Sequence, residues 1–369
     1  MLLRKPFKSP QNIQKMNLLN IFEALKSRSF SFRQLQSELK HHQMPSALGW
    51  DLLQSRYSNN SLFEDDELAN WNNSLQMIYA NHLWYGAKAV VIFTLGQKSC
   101  LDLIDEFSKL NLEQSPYKSS YPLPLTECEL KEITAKHFAS FFSKDDEARL
   151  IFCKKRAVKI TELITYDTLE PAFVKHLGEV EEIIVVRNKL IQSFDSIVIR
   201  PDKNRLEIHI DIPNQLTTEE ILESVRILKH TIDKTLRELS SDEELSSPIN
   251  FFPSIAKLYK EDDGCVLQLK HATGTASIKD EKMRGNKYLD LREELFHEKG
   301  IEAVGGDTNC YSITKCWETD TGHYPQVTIS GSLSHTVSSN PTIEYVVIDN
   351  SGCEKNFEMV ITKLLDTAK

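Results

Sequence analysis

Residues 193–212, SFDSIVIRPDKNRLEIHIDI, decide how the chain is read. Pro201-Asp202-Lys203-Asn204 is a turn: proline presets φ at the first bend, and asparagine tolerates the left-handed region. The flanking segments predict two strands, 193–200 and 205–212, joined as a hairpin, and the second alternates apolar and polar with period two. A turn centred on Asp202 and Lys203 pairs Arg200 with Arg205 and Ile197 with Ile208. In the second strand Leu206, Ile208, Ile210 and Ile212 then share one face, and Glu207, His209 and Asp211 share the other.

That Glu-His-Asp stripe is the first candidate site, catalytic and metal-holding. Next-nearest members lie about 6.6 Å apart, so with help from elsewhere they would hold Mg²⁺ or Mn²⁺. The hairpin bears comparison with that of metal-dependent nucleases, an Asp followed by Glu-x-Lys, with Asp195 and Glu207 as the carboxylates. Register opposes the match: Asp195 falls opposite Ile210 on the apolar face, Glu207 points away, and His209 stands where the lysine belongs. A sheet with one solvated face accounts for the same alternation.

Working outward, the N-terminal side is helical and basic. Residues 17–27 carry Leu18, Leu19, Ile21, Phe22 and Leu25 on one stripe, Ser31 and Gln34 form a capping signal before Phe32, Leu35 and Leu39, and a third helix follows near 47–57. Three short helices are compatible with a helix-turn-helix-like module or a small bundle. The first 57 residues hold nine Lys/Arg against three Asp/Glu, and the remaining 312 hold 35 against 50. A basic end on an acidic body is the footprint of a nucleic-acid or anionic-surface contact, and Arg28, Arg33, Lys40 and Arg56 are the phosphate-binding candidates.

Between 61 and 240 the pattern mixes helices and strands: a helix over 65–80, a buried strand over 88–95, a helix over 99–110, and a capped helix from Thr126 with Leu130, Ile133 and Phe138 inward. Strands over 148–153 and 182–186 precede the hairpin, and a long helix runs over 217–239 behind a Thr217/Glu220 capping box. The acidic, serine-rich stretch 240–248 marks a boundary. Beyond it five strands, near 264–272, 275–283, 308–317, 325–333 and 343–349, are closed by a helix over 354–366. The expected fold is therefore α+β: a basic helical module (1–60), a central α+β domain with an antiparallel hairpin (61–240) and a β-rich domain closed by a helix (249–369).

Other constellations lack the spacing their chemistry requires. Gly96-Gln97-Lys98-Ser99 follows a strand and opens a helix but has no second glycine ahead of it, so it is no phosphate loop. Asp307, Cys310, Cys316, His323 and His335 suggest zinc, yet six residues of strand hold the two thiols about 20 Å apart. Thirteen glycines are few for a dinucleotide fold, and no cofactor site other than the Mg²⁺ or Mn²⁺ option is expected. Seven scattered cysteines read as a reduced, cytoplasmic set, and no apolar run is long enough for a transmembrane helix.

The resulting expectation is a nucleic-acid-associated accessory protein that binds through its basic N-terminus. The absence of any housekeeping motif suits a component of a bacterial antiviral defence system. The alternatives are a metal-dependent nuclease built on Glu207, His209 and Asp211, and a non-catalytic scaffold or sensor subunit that docks on a protein partner.

Overall fold

The computed structural model describes residues 18–58, 64–112, 114–134, 137–143, 146–164, 182–213, 216–239, 245–274, 277–284, 288–306 and 308–368. Three short helices come first: α1 (Leu18–Ser27), α2 (Phe32–His41) and α3 (Trp50–Ser58). They are followed by α4 (Asp65–Tyr85), strand β1 (Lys88–Thr94), α5 (Gln97–Ser108), α6 (Pro116–Ser120) and α7 (Glu127–Glu132). Next stand β2 (His137–Ser143), β3 (Ala148–Ile164), β4 (Ile183–Arg200), β5 (Arg205–Asp211) and α8 (Thr218–Glu238). The last part comprises α9 (Phe252–Lys260), β6 (Cys265–Thr273), β7 (Ile278–Lys282), α10 (Leu295–Ala303), β8 (Thr308–Cys316), β9 (Gln326–Ser330), α11 (Leu333–Val337), β10 (Val346–Asp349) and α12 (Glu354–Ala368).

The protein is α+β, as the patterning implied. The hairpin forms in the expected register: Ser196 pairs with His209, Ile197 with Ile208 and Arg200 with Arg205. Asn204 closes its turn in the left-handed conformation, at φ +48°. The capping signals act as read. Thr217 accepts from the Glu220 N–H at the start of α8, Thr126 from the Glu129 N–H at the start of α7, and Ser31 from the Gln34 N–H at the start of α2.

The elements around the hairpin differ from expectation in two ways, and helices Phe252–Lys260, Leu295–Ala303 and Leu333–Val337 stand among the C-terminal strands where none is expected. The helix from Thr126 ends at Glu132, and Phe138, placed inside it by its spacing from Leu130, lies in strand β2 and pairs with Phe152. The segments 148–153 and 193–200 are the inner ends of two long strands that stay paired out to Ile164 and Ile183.

Among the described residues all ten strands join one antiparallel sheet in the order β2-β3-β4-β5-β1-β10-β9-β8-β6-β7. Strand β1 sits at its centre, pairing with β5 on one side and β10 on the other, so the hydrogen-bonded ladder runs across the acidic stretch that marks the sequence boundary. Its Ala89, Val91 and Phe93 meet α5 and α8 through Leu103, Phe107, Leu228 and Ile232. Its Val90 and Ile92 belong to the core on the other face, with α1, α3, α4, α9 and α12. Strands near β1 are therefore covered on both sides, and every residue of β5 is buried. Among the described residues no helix is long and apolar enough to cross a membrane.

Candidate functional site

Burial of β5 decides the fate of the Glu-His-Asp stripe. Asp211, 1% exposed, receives Arg28 Nη2 on both carboxylate oxygens at 2.9 Å, a bond from the Lys88 ammonium, and the Phe194 N–H at 3.0 Å. Burial alone would raise the Asp211 pKa, but Arg28 and Lys88 outweigh it and hold the carboxyl well below its usual range. Burial drives Lys88 down in spite of Asp211.

Glu207 is compensated in the same way. Arg205 Nε donates to it at 2.6 Å, Arg200 Nε lies 3.4 Å away, and His209 Nε2 is at 2.6 Å. Glu358 from α12 closes the cluster, 2.7 Å from Arg205 and 3.0 Å from Arg200. Burial pushes Glu207 up, yet Arg205 and His209 hold it well below the ordinary carboxylate value, while burial lowers His209. Asp195 takes a bidentate contact from Arg156 Nη2 at 2.7 and 2.8 Å.

The stripe is thus a buried ion network and not a solvated face, because α4 and α12 lie over it and Phe357 packs 5.2 Å from the His209 ring. Among the described residues, Glu207, His209 and Asp211 do not bring three donor atoms within reach of one ion. Their charges are already met by arginine and lysine, and no phosphodiester has a path to side chains this deeply covered.

The four N-terminal cations separate. Arg28 is 3% exposed and is the structural partner of Asp211, its guanidinium 5.1 Å above the Phe194 ring, so it is removed from the phosphate-binding set. Arg56 is exposed and donates to the Ser46 carbonyl at 2.8 Å. Arg33 and Lys40 are exposed on α2, where Ser37 and His41 share their face at helical spacing.

This face borders a groove of about 520 Å³ between α2, α4 and the 320–324 and 350–353 segments. Tyr288 and Tyr324 stack at its wall with ring centres 3.7 Å apart and planes within 6°. The acids around it are occupied: Glu38 bonds His323 Nε2 at 2.9 Å, and Asp320 bonds Lys355 at 2.7 Å. The Glu38 contact raises the His323 pKa against the effect of burial.

Compared with known proteins, the chain matches no family model and no curated protein.

Sequence reasoning missed a third cluster. His271 on β6, Glu281 on β7 and His297 in the first turn of α10 bring one ligand atom each within 4.8 Å of one another. Their spacings match no short motif, and only the pairing of Leu269 with Glu281 and the packing of α10 bring them together. The zinc set considered from sequence does not assemble: Cys310 and Cys316 lie at separate positions along β8, His323 holds Glu38, His335 contacts Ser332, and Asp307 lies outside the described residues.

Proposed function

We propose that this protein is a nucleic-acid-associated accessory protein that takes a phosphate backbone along the exposed face of α2. The observation that carries the reading is the Arg33–Ser37–Lys40–His41 stripe, which contains no acidic residue and whose two cations make no ion pair among the described residues. Such cations remain available to displace counterions from phosphate. The stacked Tyr288 and Tyr324 beside them offer an aromatic plane to an unpaired base, which favours a single strand over a duplex. Arg56, on α3, extends the basic surface, and Arg28 takes no part in it.

The test is the retention of short single-stranded and duplex DNA and RNA by the full chain across a salt series. The Arg33→Ala/Lys40→Ala variant is expected to bind more weakly on every sequence, with a salt slope shallower by about two contacts. Tyr288→Ala is expected to lose affinity for the single strand only, by about 1–3 kcal/mol per base unstacked. Equal retention by wild type and the double variant at all salt concentrations refutes the reading.

A further inference from the structure

We propose that His271, Glu281 and His297 are the ligands of one divalent transition-metal ion of the zinc type, whose remaining coordination position opens on the cavity beside α10. The donor set is the first argument. Two imidazoles and one carboxylate suit Zn²⁺ and its first-row neighbours, whereas Mg²⁺ and Ca²⁺ favour oxygen ligands and are poorly served. Three protein ligands with a fourth position left to water is the arrangement of catalytic zinc, in contrast to the four-ligand closure of structural zinc.

Geometry is the second argument. Glu281 Oε2 stands 3.2 Å from His271 Nε2 and 2.5 Å from His297 Nδ1. Bonds near 2.1 Å place tetrahedral donors about 3.4 Å apart, so the first pair already has this separation and the second reaches it by moving outward by about 0.9 Å. The ligands come from three separate elements whose backbones are fixed. His271 and Glu281 sit on paired strands, and the His297 N–H is held at 2.7 Å by the Glu294 carboxylate that caps α10.

The surroundings are the third. Both imidazoles are 3% exposed, so the partners of their ring nitrogens lie inside the protein. With Nδ1 on the metal, His297 directs Nε2 at the Tyr259 hydroxyl, 2.9 Å away, the outer partner that fixes the ring of a ligand histidine. His271 Nδ1 is buried with no hydrogen-bond partner among the described residues, so the ring's polar contact is all on the Nε2 side that faces Glu281. The adjacent cavity, about 330 Å³, is lined by the apolar Phe296, Ile301 and Val304 and by the polar Lys279 and Thr273. It has room for a small ligand that replaces the water.

The experiment is a titration of the full, chelator-treated chain with Zn²⁺ by calorimetry, with Co²⁺ as a spectroscopic probe and Mg²⁺ as a comparison. The expected result is one Zn²⁺ bound per chain with proton release, intense tetrahedral Co²⁺ absorption, and no Mg²⁺ uptake at the same concentration. His271→Gln and His297→Gln are expected to abolish the cobalt spectrum. Tyr259→Phe, a milder change that keeps the fold, is expected to weaken binding about tenfold. Failure of wild type to bind Zn²⁺ overturns the proposal and leaves the trio as a hydrogen-bonded His–Glu–His relay. Binding that survives both histidine substitutions overturns it equally, by placing the ion elsewhere.

Discussion

Replacing Asp211 by Asn tests the buried ion network most sharply. The substitution keeps the shape of the side chain and removes one charge, leaving Arg28 and Lys88, 3% and 2% exposed, without the carboxylate that both bond. Arginine does not shed its proton, so at least one cation stays charged in the core. Lys88, already driven down by burial, loses its proton more readily once Asp211 is neutral.

Breaking a buried pair by removing one partner is worth about 3–5 kcal/mol, and one residual hydrogen bond to the Asn carbonyl returns about 1 kcal/mol of it. We therefore expect Asp211→Asn to lose about 2–4 kcal/mol in urea unfolding, followed by fluorescence of the buried tryptophans. Arg28→Met should be milder, because Asp211 then keeps Lys88 and the Phe194 N–H. The double variant should be more stable than the sum of the two losses implies, with a coupling above about 1 kcal/mol. A loss below about 1 kcal/mol for Asp211→Asn, or strict additivity in the double variant, refutes the claim that Arg28, Lys88 and Asp211 form one coupled buried network.

Two further outcomes are expected. His82 has its pKa pushed down to about 3 by burial, with Arg28 and Lys88 adding to the effect, while an unfolded histidine takes its proton near pH 6.5. Its contribution is complete above about pH 6.5 and falls as pH drops toward 3, by up to about 2.7 kcal/mol at pH 4.5, so His82→Gln should flatten the acid limb of a melting-temperature profile. An unchanged limb refutes the assignment. Asn204, at φ +48° in the hairpin turn, should tolerate glycine with little change, whereas Asn204→Ala should lose about 1 kcal/mol in thermal unfolding. Equal stability of the two variants removes the left-handed requirement.

What could be read in the sequence follows the range of each interaction. The hairpin register was legible because Pro201 to Asn204 fix the turn within four residues, and the caps at Thr126 and Thr217 were legible because each spans three. Alternation along β5 separated its two faces correctly. It carried no information on what covers each face, and α12, which lies over Glu207 and His209, begins more than 140 residues later. Phe138 continues the helical spacing of Leu130 in the sequence, yet its partner is Phe152 across the strand pair, a contact that local spacing does not show. His271, Glu281 and His297 were invisible for the same reason: two strands and a helix have to assemble before they meet.

The central place of β1 also constrains the order in which the chain can be completed. Val90 emerges roughly 250 residues before its partner Val346, an interval of about 13–50 s at ordinary rates of synthesis. During that time β1 can pair with β5, yet its other edge has no strand to receive it. A nascent chain halted near residue 240 carries that bare apolar edge, so premature termination should yield an aggregating fragment, and a chaperone that shields strand edges should rescue it.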